Sequence, residues 1–156
     1  MSTRANVIIE SKKYSEKLYF YRHSDGYPKG TMPSLQMFMK WLKEGKIRDN
    51  ISQAAGWLVL IGAIEYGRIP AYEKESHEGM LTTREYGDVD SIKDPDDWKV
   101  GAYEPTTDIH GDVEFIYTID LDDKTINCQQ RQMESWEPLK MNWVDVNILE
   151  YLKLQP

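Results

Sequence analysis

The chain has 156 residues, a length that fits one α+β-sized domain burying roughly 70% of the surface its unfolded form would expose. With 40% apolar and 29% charged residues it lies outside the compositional range of disordered chains. Nineteen basic against 26 acidic residues give a net charge of −7, which excludes a protein that wraps duplex nucleic acid by broad phosphate neutralisation, although a local basic pocket stays open.

Taken in chain order, the N-terminal Met-Ser-Thr-Arg-Ala-Asn lacks the apolar core of a signal peptide, so a cytoplasmic location is the expectation. Asn6 to Glu10 and Lys17 to His23 are β-prone runs across a polar connection and predict an antiparallel hairpin. Alternation in the second run sets Leu18, Phe20 and Arg22 on one face and Tyr19, Tyr21 and His23 on the other. Pro33 then suits the first turn of a helix over Pro33 to Glu44, with Leu35, Phe38, Met39 and Leu42 at i, i+3, i+4 and i+7 and Gly45 as its stop. Asp49-Asn50 announces a second helix, with Gln53 three residues after Asn50 as in a capping box. Its Ile51, Ala54, Ala55, Leu58, Ile61 and Ile64 place it centrally against a sheet, and its apolar run Trp57 to Ile64, eight residues long, is too short for a membrane span of about 20.

From Gly67 to Asp97 no apolar period is sustained, a stretch of about thirty residues that reads as a lid or as an unrecognised short element. Trp98 to Tyr103 reads as a strand, followed by a polar loop from Glu104 to Asp112. Val113 to Leu121 and Thr125 to Gln130 form a second hairpin through Asp122-Asp123-Lys124. Trp136, Trp143, Val146, Leu149 and Leu152 follow, and from Val144 onward the spacing favours a short helix. The order β-β-α-α-loop-β-β-β-α predicts one α+β domain over residues 1–156, a mainly antiparallel sheet with helices packed on one face. Cys128 has no partner for an internal disulfide and reads as a buried bystander.

The densest chemistry lies in Tyr21, Arg22, His23, Ser24, Asp25, Tyr27 and Lys29, at the end of a strand. Cations for phosphate, a ring for stacking, and a hydroxyl or carboxylate for ribose are what a nucleotide-like anion requires. The plainer reading is a turn at Asp25-Gly26, a packed Tyr21, and Arg22 paired with a surface carboxylate. His23-Ser24-Asp25 is echoed by His110-Gly111-Asp112, and the two loops can converge if their strands are neighbours. Such a pair can hold a metal or act as a base with its orienting group, but a hydrogen-bonded loop histidine is the commoner outcome. Trp57 and Trp98 read as core, while Tyr66, Tyr72, Tyr86 and Tyr103 flank the irregular stretch and suit a pocket, an interface or the core. The acidic groups Asp94, Asp96 and Asp97 and Asp120, Asp122 and Asp123 read as solvated turns, or as imitations of nucleic-acid phosphates.

Thr3, Arg4, Ala5 and Asn6, together with Arg22, His23, Asp25, Gly26, Tyr27 and Pro28, resemble a group of small phage and prophage proteins. These begin Thr-Arg-(Ala/Ser)-Asn and share an Arg-His-x-Asp-Gly-Tyr-Pro segment. Gly45 to Asn50 and Ser52 to Trp57 extend the resemblance. It implies a viral origin and an accessory role during infection, and it brings no catalytic assignment. The expectation is a protein without cofactor or metal that sequesters a small anionic ligand, such as a cyclic nucleotide immune signal of the host, at Tyr21 to Lys29 with His110 and Asp112, as a monomer or a homo-oligomer. The alternatives are a metal-dependent phosphodiesterase built on His23, Asp25, His110 and Asp112, and an inhibitor that binds a host protein through acidic and aromatic surface.

Overall fold

A computed structural model of the chain describes residues 2–66, 100–132 and 142–150. They form β1 (Ala5–Ser11), β2 (Glu16–Arg22), α1 (Pro28–Lys43), α2 (Ile51–Glu65), β3 (Glu104–Thr106), β4 (Phe115–Asp120), β5 (Thr125–Arg131) and β6 (Trp143–Val146). One sheet runs β3-β2-β1-β4-β5-β6. Every neighbouring pair is antiparallel except β1 and β4, which run parallel at its centre with Ala5 beside Phe115 and Glu10 beside Asp120. The fold is α+β, with both helices on one face. The lid assigned to Gly67–Asp97, and Trp98, Trp136 and Leu152, lie outside the described residues.

The apolar run of β1 explains its central place. Ala5, Val7 and Ile9 enter the main core under the helices, with Phe20, Tyr117, Ile119 and Cys128 from neighbouring strands. Ile8 faces the other way, into a smaller cluster with Val113 and Ile116 flanked by Tyr19, Tyr21 and Trp143. A strand buried on both faces needs such a continuous apolar sequence. Cys128 is fully buried, and burial pushes its thiol up to about 12, so it is a packing residue.

Helix α1 begins at Pro28, one turn and more before the expected Pro33. Pro28 occupies the first helical position, where a missing N–H costs nothing, and Pro33 lies inside the helix with its ring exposed. The expected face is correct: Leu35, Phe38, Met39 and Leu42 are buried. The helix ends in a Schellman motif. Gly45 takes φ +77° and donates to Leu42 O, while Lys46 N–H donates to Trp41 O at 2.9 Å. Asn50 caps α2, its Oδ1 accepting from Ser52 and Gln53 N–H at 3.0 and 3.2 Å. Asn50→Ala should therefore cost about 1 kcal/mol, read as a lower urea midpoint with an unchanged slope. Trp57 is only half-buried and meets Trp41 edge to face.

Two expected elements are corrected. Residues 100–103 are not a strand: Ala102 N–H donates to Gly62 O and Tyr103 is buried against the end of α2, so the chain joins the sheet only at Glu104. Trp143–Val146 is an edge strand rather than the start of a helix, with Trp143 opposite Arg131 and Val146 opposite Cys128. Its β-branched and aromatic residues suit the pleat, and pairing satisfies the backbone groups of β5, which outweighs the helical spacing of Trp143, Val146 and Leu149. Helical backbone begins at Ile148, with Asn147 Oδ1 accepting from Glu150 N–H at 3.2 Å. At the same end of the sheet, Asp120 is buried and accepts from the N–H groups of Asp122 and Asp123. Asp122 binds Ser11 Oγ and Lys13 N–H, and the Lys13 N–H foremost holds its carboxyl below the ordinary range. Two of these aspartates thus tie hairpin turns together.

Candidate functional site

The opposite end of the sheet gathers the first residues of β1, the last of β2 and the loop before β4, because β1 meets β2 antiparallel and β4 in parallel. Thr3 O accepts from Gly26 N–H at 2.8 Å and Arg4 O from Glu114 N–H at 2.9 Å. Gly26 is so close to Arg4 and Ala5 that a Cβ there would lie 2.8 Å from the Ala5 methyl. Asn6 is fully buried; its Nδ2 donates to Phe20 O at 2.9 Å and its Oδ1 accepts from His110 N–H at 2.8 Å. The Thr3–Asn6 and Arg22–Pro28 stretches therefore pack against each other, and Asn6 pins the His110 loop to them.

Above this floor, His23 and His110 meet on either side of Tyr21. The rings of Tyr21 and His110 stack at 4.1 Å with an angle of 17° between them, and His110 Nε2 lies 3.0 Å from Thr106 Oγ1. Tyr21 Oη is 3.1 Å from His23 Nδ1 and 3.4 Å from Asp112 Oδ2. Arg4 Nε is 3.2 Å from Asp112 Oδ2 and makes a long contact of 3.4 Å to His23 Nδ1. As Arg4 can only donate, that contact makes His23 Nδ1 an acceptor and puts the neutral ring's proton on Nε2. Burial, then the charge of Asp112, raises the Tyr21 phenol above its ordinary pKa against the opposing pull of Arg4, so the phenol stays a donor. Its single proton faces two acceptors.

The other expected site residues lie elsewhere. Arg22 points to the helix face and is 1% exposed. It forms a two-pronged ion pair with Glu65 of α2, Nη1 to Oε1 at 3.1 Å and Nη2 to Oε2 at 2.7 Å. It also donates to Ser24 O and Gly30 O, and its guanidinium lies over the rings of Tyr103 and Tyr66. Four of its five N–H donors are engaged by Glu65 and two backbone carbonyls, so its charge is committed to the fold. The carboxylate that pairs with it is thus a partly buried one on a helix. Tyr103, pushed up to about 12 by burial, closes this network through a hydrogen bond with Ser34. Asp25 takes φ +57° and accepts from Tyr27 Oη at 3.2 Å, and its charge raises the Tyr27 phenol. This pair borders α1 and not the histidine cluster. Ser24 Oγ reaches only Ser2, and Lys29 is exposed on the first turn of α1.

The cluster thus comprises Arg4, Tyr21, His23, His110 and Asp112. Arg4 and Asn6 are not among the expected site residues; the structure brings Arg4 to Asp112 and His23 and places Asn6 beneath the His110 loop. Among the described residues no group of three or more His, Cys, Asp and Glu is arranged to hold a metal ion. No helix among them is long and apolar enough to cross a membrane. Comparisons with models of protein families, with curated proteins and with solved structures return no match.

Proposed function

We propose that the protein is a phage-type accessory protein that binds and holds a small anionic ligand of nucleotide kind, withdrawing it from a host defence pathway. The observation that carries this reading is the stacked Tyr21–His110 pair beside Arg4, whose guanidinium is about one-third exposed. A flat aromatic surface serves a base, and a guanidinium at its edge serves a phosphate. The contacts of Arg4 with Asp112 and His23 both use Nε, so they leave its Nη edge to an incoming oxyanion. Asp112, half-exposed, orients Arg4 and is suited to accept from a ribose hydroxyl.

The test is incubation of purified protein with a panel of cyclic mono- and dinucleotides, followed by native mass spectrometry and recovery of the ligand after denaturation. Intact ligand supports sequestration. Altered ligand assigns the paired histidines to acid–base chemistry instead. Arg4→Ala should weaken binding by about 1.5–3 kcal/mol, the scale of a charge-assisted hydrogen bond, with the unfolding midpoint unchanged. Tyr21→Ala should cost roughly 1–3 kcal/mol of stacking. Normal binding by both variants would remove the cluster from consideration.

A further inference from the structure

The three stretches that meet around the histidines, residues 3–6, 21–28 and 106–114, carry Arg4 and Arg22 against Asp25, Asp108, Asp112 and Glu114. Arg22 is paired with Glu65 on the helix face. Arg131 of β5 reaches the same end of the sheet and donates to Gly111 O at 3.3 Å, and Lys29 stands apart on the first turn of α1. Arg4 is therefore the cation of the cluster, and Asp112, 3.2 Å from its Nε, offsets part of that charge.

His23 adds a donor without adding a charge. Its exposed ring receives Tyr21 Oη at 3.1 Å and the longer contact of Arg4 Nε at 3.4 Å, both at Nδ1. The ring's proton is then on Nε2, which lies across the ring from Nδ1 and points away from Tyr21 and Arg4. Among the described residues no hydrogen bond engages that nitrogen. His110 differs, because its Nε2 is already held by Thr106 Oγ1 at 3.0 Å.

We infer that the cluster selects a singly charged phosphodiester over a doubly charged terminal phosphate, with the Nη edge of Arg4 as the charged contact and His23 Nε2–H as the neutral one. This rests on the nucleotide reading of the same cluster and narrows it to one class of phosphate. One negative charge is matched by one guanidinium edge. A second charge finds no further uncommitted cation among the described residues of the cluster and meets Asp112 and its acidic neighbours, a repulsion that partial exposure screens only in part.

The probes are adenosine 5′-monophosphate and its methyl ester, with the corresponding guanosine pair. Within each pair base and sugar are the same and the charge differs by one at about pH 8, because a phosphate monoester loses its second proton near about pH 6. Titrated calorimetrically at low salt, the full-length protein should bind the methyl esters at least about tenfold more tightly than the monoesters, and added salt should narrow the gap. His23→Lys sets a second cation at the neutral donor's place and should bring the monoester level with the ester or past it. His23→Gln, which keeps a neutral N–H, should leave the order of the two ligands as it is. Equal or tighter binding of the monoesters by the parent, or an unmoved order in His23→Lys, overturns the inference and leaves nucleotide binding standing. Refusal of the methyl esters also overturns it, and refusal of the cyclic nucleotides as well removes the reading on which it rests.

Discussion

Replacing Arg22 by alanine is expected to lower the free energy of unfolding by about 3–5 kcal/mol, the cost of removing one partner of a buried, hydrogen-bonded ion pair. Three elements lose their common fastening: the end of β2, the first turn of α1 through Gly30 O, and the end of α2 through Glu65. Glu65 remains, its side chain three-quarters buried and without its counter-charge. Arg22→Lys should recover only part of the loss, because an ammonium cannot serve both carboxylate oxygens and two carbonyls in the guanidinium's plane. Urea unfolding of the two variants checks this. A loss under about 1 kcal/mol would mean that water reaches the pair and screens it as it does surface pairs.

Phe38→Ala should cost about 3–5 kcal/mol by lost transfer energy and the cavity left behind. Phe38 is 0% exposed, at the middle of the α1 face that meets the main core. Phe38→Leu should cost much less, since the site keeps most of its volume. The two variants measured together separate cavity formation from a general loosening of α1, which would affect both alike.

Local signals carried most of the elements. The period of Leu35, Phe38, Met39 and Leu42 names the buried side of α1 whatever its first residue, and Asn50 with Gln53 marks the start of α2 because caps are local hydrogen bonds. Pro33 misled because proline at a helix start is the commoner case, and Pro28 five residues earlier has the same chemistry. The parallel β1–β4 ladder was not legible: Ala5 and Phe115 leave no mark on each other's neighbourhood in sequence. Alternation put Arg22 on the face of Phe20, but its partner Glu65 lies 43 residues away, so its charge read as available when it is committed. The echo of His23-Ser24-Asp25 in His110-Gly111-Asp112 was visible, and the structure brings both histidines to Tyr21. It separates Asp25 from them, because the left-handed backbone at Asp25 turns the chain toward α1.

The parallel ladder also sets a timetable for a chain leaving the ribosome. The β1–β2 hairpin and both helices are complete once Glu65 has emerged, but the second edge of β1 gains its partner only after Asp120 has been made. For that interval Val7, Ile8 and Ile9 present an unpaired apolar edge, the feature that invites pairing between nascent chains on neighbouring ribosomes. Closure over a separation this long is slow, so synthesis and not local helix formation governs when the sheet acquires its centre. Arg4, Tyr21 and His23 are made early and wait for His110 and Asp112. A message truncated between the two halves would yield a product with a sticky margin and no complete cluster, which is material for the quality-control proteases.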